Sequence, residues 1–159
     1  MSVAPPPIAM PEPASGRFSE GMHYFPVRIY FEDTDTGGVV YHANYLRFME
    51  RARSDMLRLL GIDQRGSIAA GEGVYTVARA ALVYRLPAHL DDDLIVVSQV
   101  KHISGATCTM DQRIMRGSAT VVSGEVTVAF VSSNGRPKRQ PKAWVALFNR
   151  IAQGEDISL

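Results

Sequence analysis

Residues 30–61 read YFEDTDTGGVVYHANYLRFMERARSDMLRLLG. From Asn44 to Leu60 there is no Pro or Gly, and Tyr45, Phe48, Met49, Ala52, Met56, Leu59 and Leu60 recur at three- and four-residue steps, the period of an amphipathic helix. Leu46 and Leu57 widen the apolar stripe, so the helix is expected to be covered on more than one side. Gly61 stands where a left-handed residue would stop it. Ahead of the helix, Glu32 to Gly38 crowds acceptors and two glycines into a turn. That turn ends a first strand over Phe25 to Phe31, rich in aromatic and β-branched residues, with Pro26 tolerated near its start.

Beyond a short link containing Gly66, Gly71 and Gly73, four strand-like runs follow: Val74 to Leu86, Leu94 to Ser104, Ala106 to Arg116 and Ala119 to Val131. Ser104-Gly105 and Gly117-Ser118 are hairpin-length connections, and the four runs are expected to form an antiparallel meander. In the last run Val122, Val126, Val128 and Phe130 share a face with Gly124, and that face should meet the helix. Lys142 to Ile151, after Pro141, suits a short terminal helix. The expected fold class is α+β, with a five-stranded antiparallel sheet and one long helix on one face. Long open sheet edges favour pairing between identical chains, so at least a dimer is expected.

Five of the nine prolines fall within the first thirteen residues, so residues 1–23 read as a flexible, extended N-terminal arm, residues 24–151 as the folded domain and residues 152–159 as a tail. The arm lacks the early basic residue and unbroken apolar stretch of a signal peptide, and no run approaches the ~18 apolar residues that span a bilayer. With 46% hydrophobic and 21% charged residues, the composition is that of a folding chain rather than a disordered one. Seventeen Lys and Arg against sixteen Asp and Glu leave a net charge of +1, too balanced for a protein whose partner is nucleic acid. The single cysteine, Cys108, excludes an internal disulfide and a Cys-rich metal site, and the reducing cytosol is the simplest compartment.

The acidic cluster of residues 32–35 first suggests a metal loop. Counted from Asp33, however, the fifth and twelfth positions of a calcium loop fall on Gly37 and Asn44, and both fail as ligands of that pattern. No His-x-x-x-His spacing supports zinc, so no metal is expected. Acyl transfer explains more of the segment. A carboxylate at a strand tip, glycines that admit a substrate, and a helix start with unpaired N–H groups together supply a base or nucleophile and a site for a developing oxyanion. Asp35 could attack a thioester carbonyl or activate water, and both routes stay open. A thiol, with a reference pKa of about 8.5, leaves without strong acid assistance, which favours thioesters over amides.

Glu32-Asp33-Thr34-Asp35-x-x-Gly38-Val39-Val40-Tyr41-His42-Ala43-Asn44-Tyr45, continued by Glu50-Arg51-Ala52-Arg53, resembles the signature of the hotdog-fold acyl-CoA thioesterases of the 4-hydroxybenzoyl-CoA thioesterase group. Within that group the likeness runs to the bacterial enzymes associated with the Tol-Pal system. It spans about Phe25 to Val131, including the PAHLDDDL connection that starts at Pro87. The resemblance implies a sheet wrapped around a central helix, assembly into dimers or tetramers, and hydrolysis of acyl-CoA without metal or redox cofactor. It places the catalytic carboxylate at Asp35 and a backbone N–H against the carbonyl oxygen at His42, whose imidazole is a second candidate. Gly38, Val39, Tyr41 and Tyr45 are then candidate substrate contacts. Lys138 and Arg139, with Arg136 and Lys142, put positive charge where CoA phosphates could bind.

Blander readings compete at each position. Asp35 is also a natural Asx-turn residue, His42 can simply pack, and Tyr41 and Tyr45 can be core. Glu50, flanked by Arg51 and Arg53, reads as an ion-pair partner, Cys108 as a small buried hydrophobe, and His89 and His102 as surface or strand residues. At the level of function, the alternative is a non-catalytic module that binds acyl-CoA or an acyl carrier protein.

Overall fold

The computed structural model describes residues 9–157; the first eight residues of the Pro-rich arm and the last two of the tail lie outside the described part. Along the chain come β1 (Arg17–Ser19), β2 (Met22–Arg28), a 3₁₀ turn (Phe31–Asp33), α1 (Asn44–Leu59), α2 (Gln64–Ala69), β3 (Val74–Tyr84), β4 (Asp93–Ile103), β5 (Thr107–Arg116), β6 (Ala119–Val131) and α3 (Lys142–Ala152). Helix α1 lies on one face of a sheet whose pairs are all antiparallel, in the order β1-β2-β4-β5-β6-β3.

The apolar stripe of α1 is buried as its spacing requires: Phe48, Met49 and Ala52 have no exposed surface and Met56 has 1%. Gly61, at φ +71°, ends the helix. Its N–H donates to Arg58 O at 3.0 Å and the Ile62 N–H to Leu57 O at 2.9 Å, the paired bonds of a Schellman cap. Val122, Val126 and Val128 are buried in the same core as the helix, whereas Phe130, also buried, packs against Tyr75 of β3 and Trp144 of α3. Gly124 lies on the same face, where an added Cβ would stand 3.2 Å from the Met49 methyl.

Two expectations are corrected. Only β4, β5 and β6 form a meander; β3 crosses to the far edge and pairs with β6. The connection after β3 is too long for a hairpin. It begins where Arg85 N–H bonds Val121 O, beside β6, and ends where Ile29 N–H bonds Asp92 O, beside β2. Because β2 takes the open side of β4, pairing Val27 with Leu94, the remaining place for β3 is the free side of β6.

The sheet also has six strands rather than five, because it begins inside the segment read as the arm. Ser19 pairs with Met22 across Glu20 and Gly21, whose φ values of 53° and 71° make the two-residue turn that suits a tight hairpin. Gly21 N–H donates to Asp156 Oδ1 at 3.0 Å, so the tail is tied to this hairpin. Just upstream, the Ser15 hydroxyl and Gly16 N–H both donate to the buried Asp55 carboxylate of α1, each at 2.8 Å. His23 Nε2 lies 2.8 Å from the same group.

A second polar tie holds α1 to the sheet. The buried Arg53 guanidinium donates to Gln112 Oε1 at 2.8 Å, and Gln112 Nε2 donates to Met49 O and the Ser98 hydroxyl. Glu50 takes the other side of Arg53, which is the structural role its neighbours suggested.

Candidate active site

Between β2 and α1 the chain makes a small hairpin whose geometry depends on Asp33. Its carboxylate, 4% exposed, accepts from Tyr30 N–H at 2.8 Å and from the Asn44 side-chain amide at 3.0 Å. Its carbonyl accepts from Tyr41 N–H at 2.8 Å. One residue therefore ties the end of β2, the return arm of the hairpin and the start of α1 together. Thr34 bridges Val40, and Val40 N–H donates to Ala88 O, so the hairpin is also held to the β3–β4 connection.

Asp35 sits at the exposed tip. Its N–H donates to Val39 O, its carbonyl accepts from Gly38 N–H, and its Oδ1 accepts from Gly37 N–H at 2.8 Å. This is the Asx-turn of the blander reading, and it leaves Oδ2 directed away from the bond. The turn and a chemical role are compatible, since the turn orients the carboxylate. Gly38, at φ +79°, supplies a backbone conformation that a side chain would strain. Val39 is half-buried beside it.

The start of α1 follows at once. Ala43 caps it without a side-chain hydrogen bond, and no acidic residue occupies the first turn of this sixteen-residue helix. Its positive end is therefore unneutralised by its own side chains. Asn44 N–H donates to Tyr41 O at 2.9 Å, while among the described residues the amides of His42 and Ala43 donate to no carbonyl or side chain. The exposed His42 ring lies 4.5 Å from the Tyr41 ring and 6.4 Å from that of Tyr84, centroid to centroid. The Tyr84 hydroxyl donates to His42 O at 3.0 Å.

The candidate residues divide into two groups. Asp35, Gly38, Val39, Tyr41 and His42 share the hairpin and helix start. Tyr45 lies beneath them, 3% exposed, its ring 5.8 Å from that of Tyr84; burial holds its hydroxyl above the usual phenol range. Lys138 and Arg139 are elsewhere. Lys138 N–H donates to Phe130 O and its ammonium to Glu72 O, beside the start of β3, where Phe130 pairs with Tyr75. His42 is bonded at the other end, to Tyr84. Nine residues of strand separate the two, about 30 Å at ~3.3 Å per residue. A single chain does not bring these cations to Asp35.

Cys108 is buried in β5, which pushes its thiol up to about 12 and leaves it inert. His89 is an exposed surface residue whose N–H donates to Asp92; this bond and Arg116 hold the Asp92 carboxyl below its usual range. A small cavity of about 50 Å³ opens between α1 and β3, lined by Glu50, Arg53, Val77, Met110 and Phe148 among others. Sequence reasoning missed Tyr84. A tyrosine at a strand end carries no local motif, and its place depends on β3 reaching the edge beside the helix start.

Among the described residues no helix is long and apolar enough to cross a membrane. A family model described as the thioesterase-like superfamily matches residues 29–148. The acyl-CoA thioesterase YbgC of Haemophilus influenzae is 41% identical over 128 residues, covering 80% of this chain and 94% of that protein. The acyl-CoA thioester hydrolase YbgC of Escherichia coli is 38% identical, covering 79% and 95%. Among solved structures, a protein of Bartonella henselae named as a probable thioesterase superposes with a TM-score of 0.71 at 35% identity, covering 76% of this chain and 99% of its own. By fold, motif and extent of match, the chain belongs to the thioesterase-like superfamily and is a hotdog-fold homologue of the YbgC thioesterases.

Proposed function

We propose that this thioesterase hydrolyses acyl-CoA to the free acid and CoA, with Asp35 and the His42 amide on opposite sides of the thioester carbonyl. The observation that carries the reading is the hairpin built on Asp33, which delivers an exposed carboxylate and unpaired helix-start amides from adjacent turns. The amides would stabilise the oxyanion as the carbonyl becomes tetrahedral. Asp35 either attacks to form a mixed anhydride that water then opens, or removes a proton from the attacking water. In both cases the C–S bond breaks, CoA leaves as thiolate, and water is the only co-reactant.

The site is completed by a second chain. One long edge of the sheet, β2, is covered in part by β1, whereas β3 presents an open edge with Val77 48%, Val83 54% and Tyr84 48% exposed. Such an edge is a template for antiparallel pairing with its own copy. A two-fold pairing sets the start of one β3 against the end of the other. Lys138, Arg139 and the cavity beside Val77 then approach Asp35 and His42 of the partner, resolving the 30 Å separation (about nine residues of strand) within one chain. Light scattering after size exclusion is expected to show no species smaller than a dimer; a monomer at assay concentration would contradict the shared site.

Activity is tested by thiol release from short, long and aromatic acyl-CoA esters. Saturable turnover of at least one ester is the expected result. Binding without thiol release from any of them would favour a non-catalytic acyl-CoA or acyl-carrier module.

A further inference from the structure

We infer that Tyr84 is a positioning residue that aims the Ala43 amide as a second oxyanion donor beside that of His42, holding through its hydroxyl the peptide that joins His42 to Ala43. The inference rests on the thioesterase reading above and adds to it a residue from the open sheet edge.

A peptide unit is planar and trans, so fixing the direction of its carbonyl fixes that of its N–H on the opposite side. Two consecutive units meet at the helix start. The unit between Tyr41 and His42 has its carbonyl bonded by Asn44 N–H at 2.9 Å. The unit between His42 and Ala43 has its carbonyl bonded by the Tyr84 hydroxyl at 3.0 Å. Each unit thus has an engaged carbonyl and, among the described residues, an unengaged N–H at the start of the helix. The first bond comes from the helix itself. The second comes from β3, which is remote in sequence.

Without the Tyr84 bond the second unit would be restrained only by the backbone conformation of Ala43, at φ −74° and ψ −19°, with no side-chain cap to reinforce it. The hydroxyl is itself well placed. Its ring lies against Tyr45, which is buried, and edge-on to His42, so the phenol cannot swing without losing both contacts. Because Tyr84 is the last residue of the edge strand, pairing of β3 with a second copy would immobilise the strand that carries it. The geometry therefore links assembly to the oxyanion site.

The test is Tyr84→Phe, which keeps the ring and its packing and removes only the bond. Removing a hydrogen bond expressed in the transition state is expected to lower kcat about 10-fold, with KM within about twofold of wild type. The melting temperature, dimer mass and pH–rate profile should be unchanged. Wild-type kcat in the variant would overturn the inference. So would a displaced pH–rate profile, which would make the phenol an acid–base group, or a fall in melting temperature and dimer mass that accounts for the lost rate. A wild-type enzyme that releases no thiol from any ester would overturn the thioesterase reading, and this inference with it.

Discussion

Asp35→Asn is expected to lower kcat/KM for acyl-CoA by about 10²- to 10⁴-fold, the range for loss of a catalytic base or nucleophile. Asparagine isolates the chemistry because its side-chain oxygen can still accept the Gly37 N–H, so the turn that shapes the hairpin tip survives. The exposed side chain makes its hydrogen bond within its own loop, and the melting temperature should move little. Steady-state thiol release and a thermal melt on the same preparation check both halves. His42 differs, because its proposed part is played by the backbone amide, which any residue but proline supplies.

The largest effect on stability is expected at Asp55. Its carboxylate, 3% exposed, accepts from the Ser15 hydroxyl, Gly16 N–H and His23 Nε2, so it joins the N-terminal segment, β2 and α1 at one point. Asp55→Ala leaves three donors without an acceptor, one of them on a ring with no exposed surface. The cost is about 3–5 kcal/mol, which in a chain of this size lowers the melting temperature by roughly 10 °C.

His23 adds a pH dependence of definite sign. Burial lowers its pKa from the ordinary 6.5, outweighing the opposing pull of Asp55, and its Nδ1 has no partner. The folded chain therefore holds the ring neutral, with the proton on Nε2 facing Asp55. Below 6.5 the unfolded chain binds a proton that the folded chain refuses. This contribution to stability is complete above 6.5 and is lost as pH falls from there toward the lowered folded value. Melting temperatures between pH 7 and 5 are expected to fall in the wild type and to fall less steeply in His23→Gln, which lacks the titrating ring; equal slopes would contradict this.

The parts legible in the sequence were those governed by local rules. The three- and four-residue period of α1 and the glycine at 61 are short-range properties of the chain, and both appear in the structure. The same holds for the hairpins that join β4, β5 and β6. The position of β3 was not legible, because four strand-like runs in a row are compatible with either sheet order. Only the β2–β4 pairing, a contact across some seventy residues (Val27 with Leu94), excludes the continuous meander. Strand β1 was hidden by its turn, since Glu20 is an unusual residue at a positive φ and Pro-rich sequence precedes it. At the site, the hairpin and helix start were contiguous and could be read together. Tyr84 and the Ala88 carbonyl reach the site only through the tertiary fold.

The most direct test is a crystal structure of the Asp35→Asn protein with an intact acyl-CoA thioester. Electron density placing the ester oxygen within hydrogen-bonding reach of the amide at 42, and residue 35 across the carbonyl plane from it, is the result expected. A ligand whose reactive carbon lies away from both groups would contradict the mechanism.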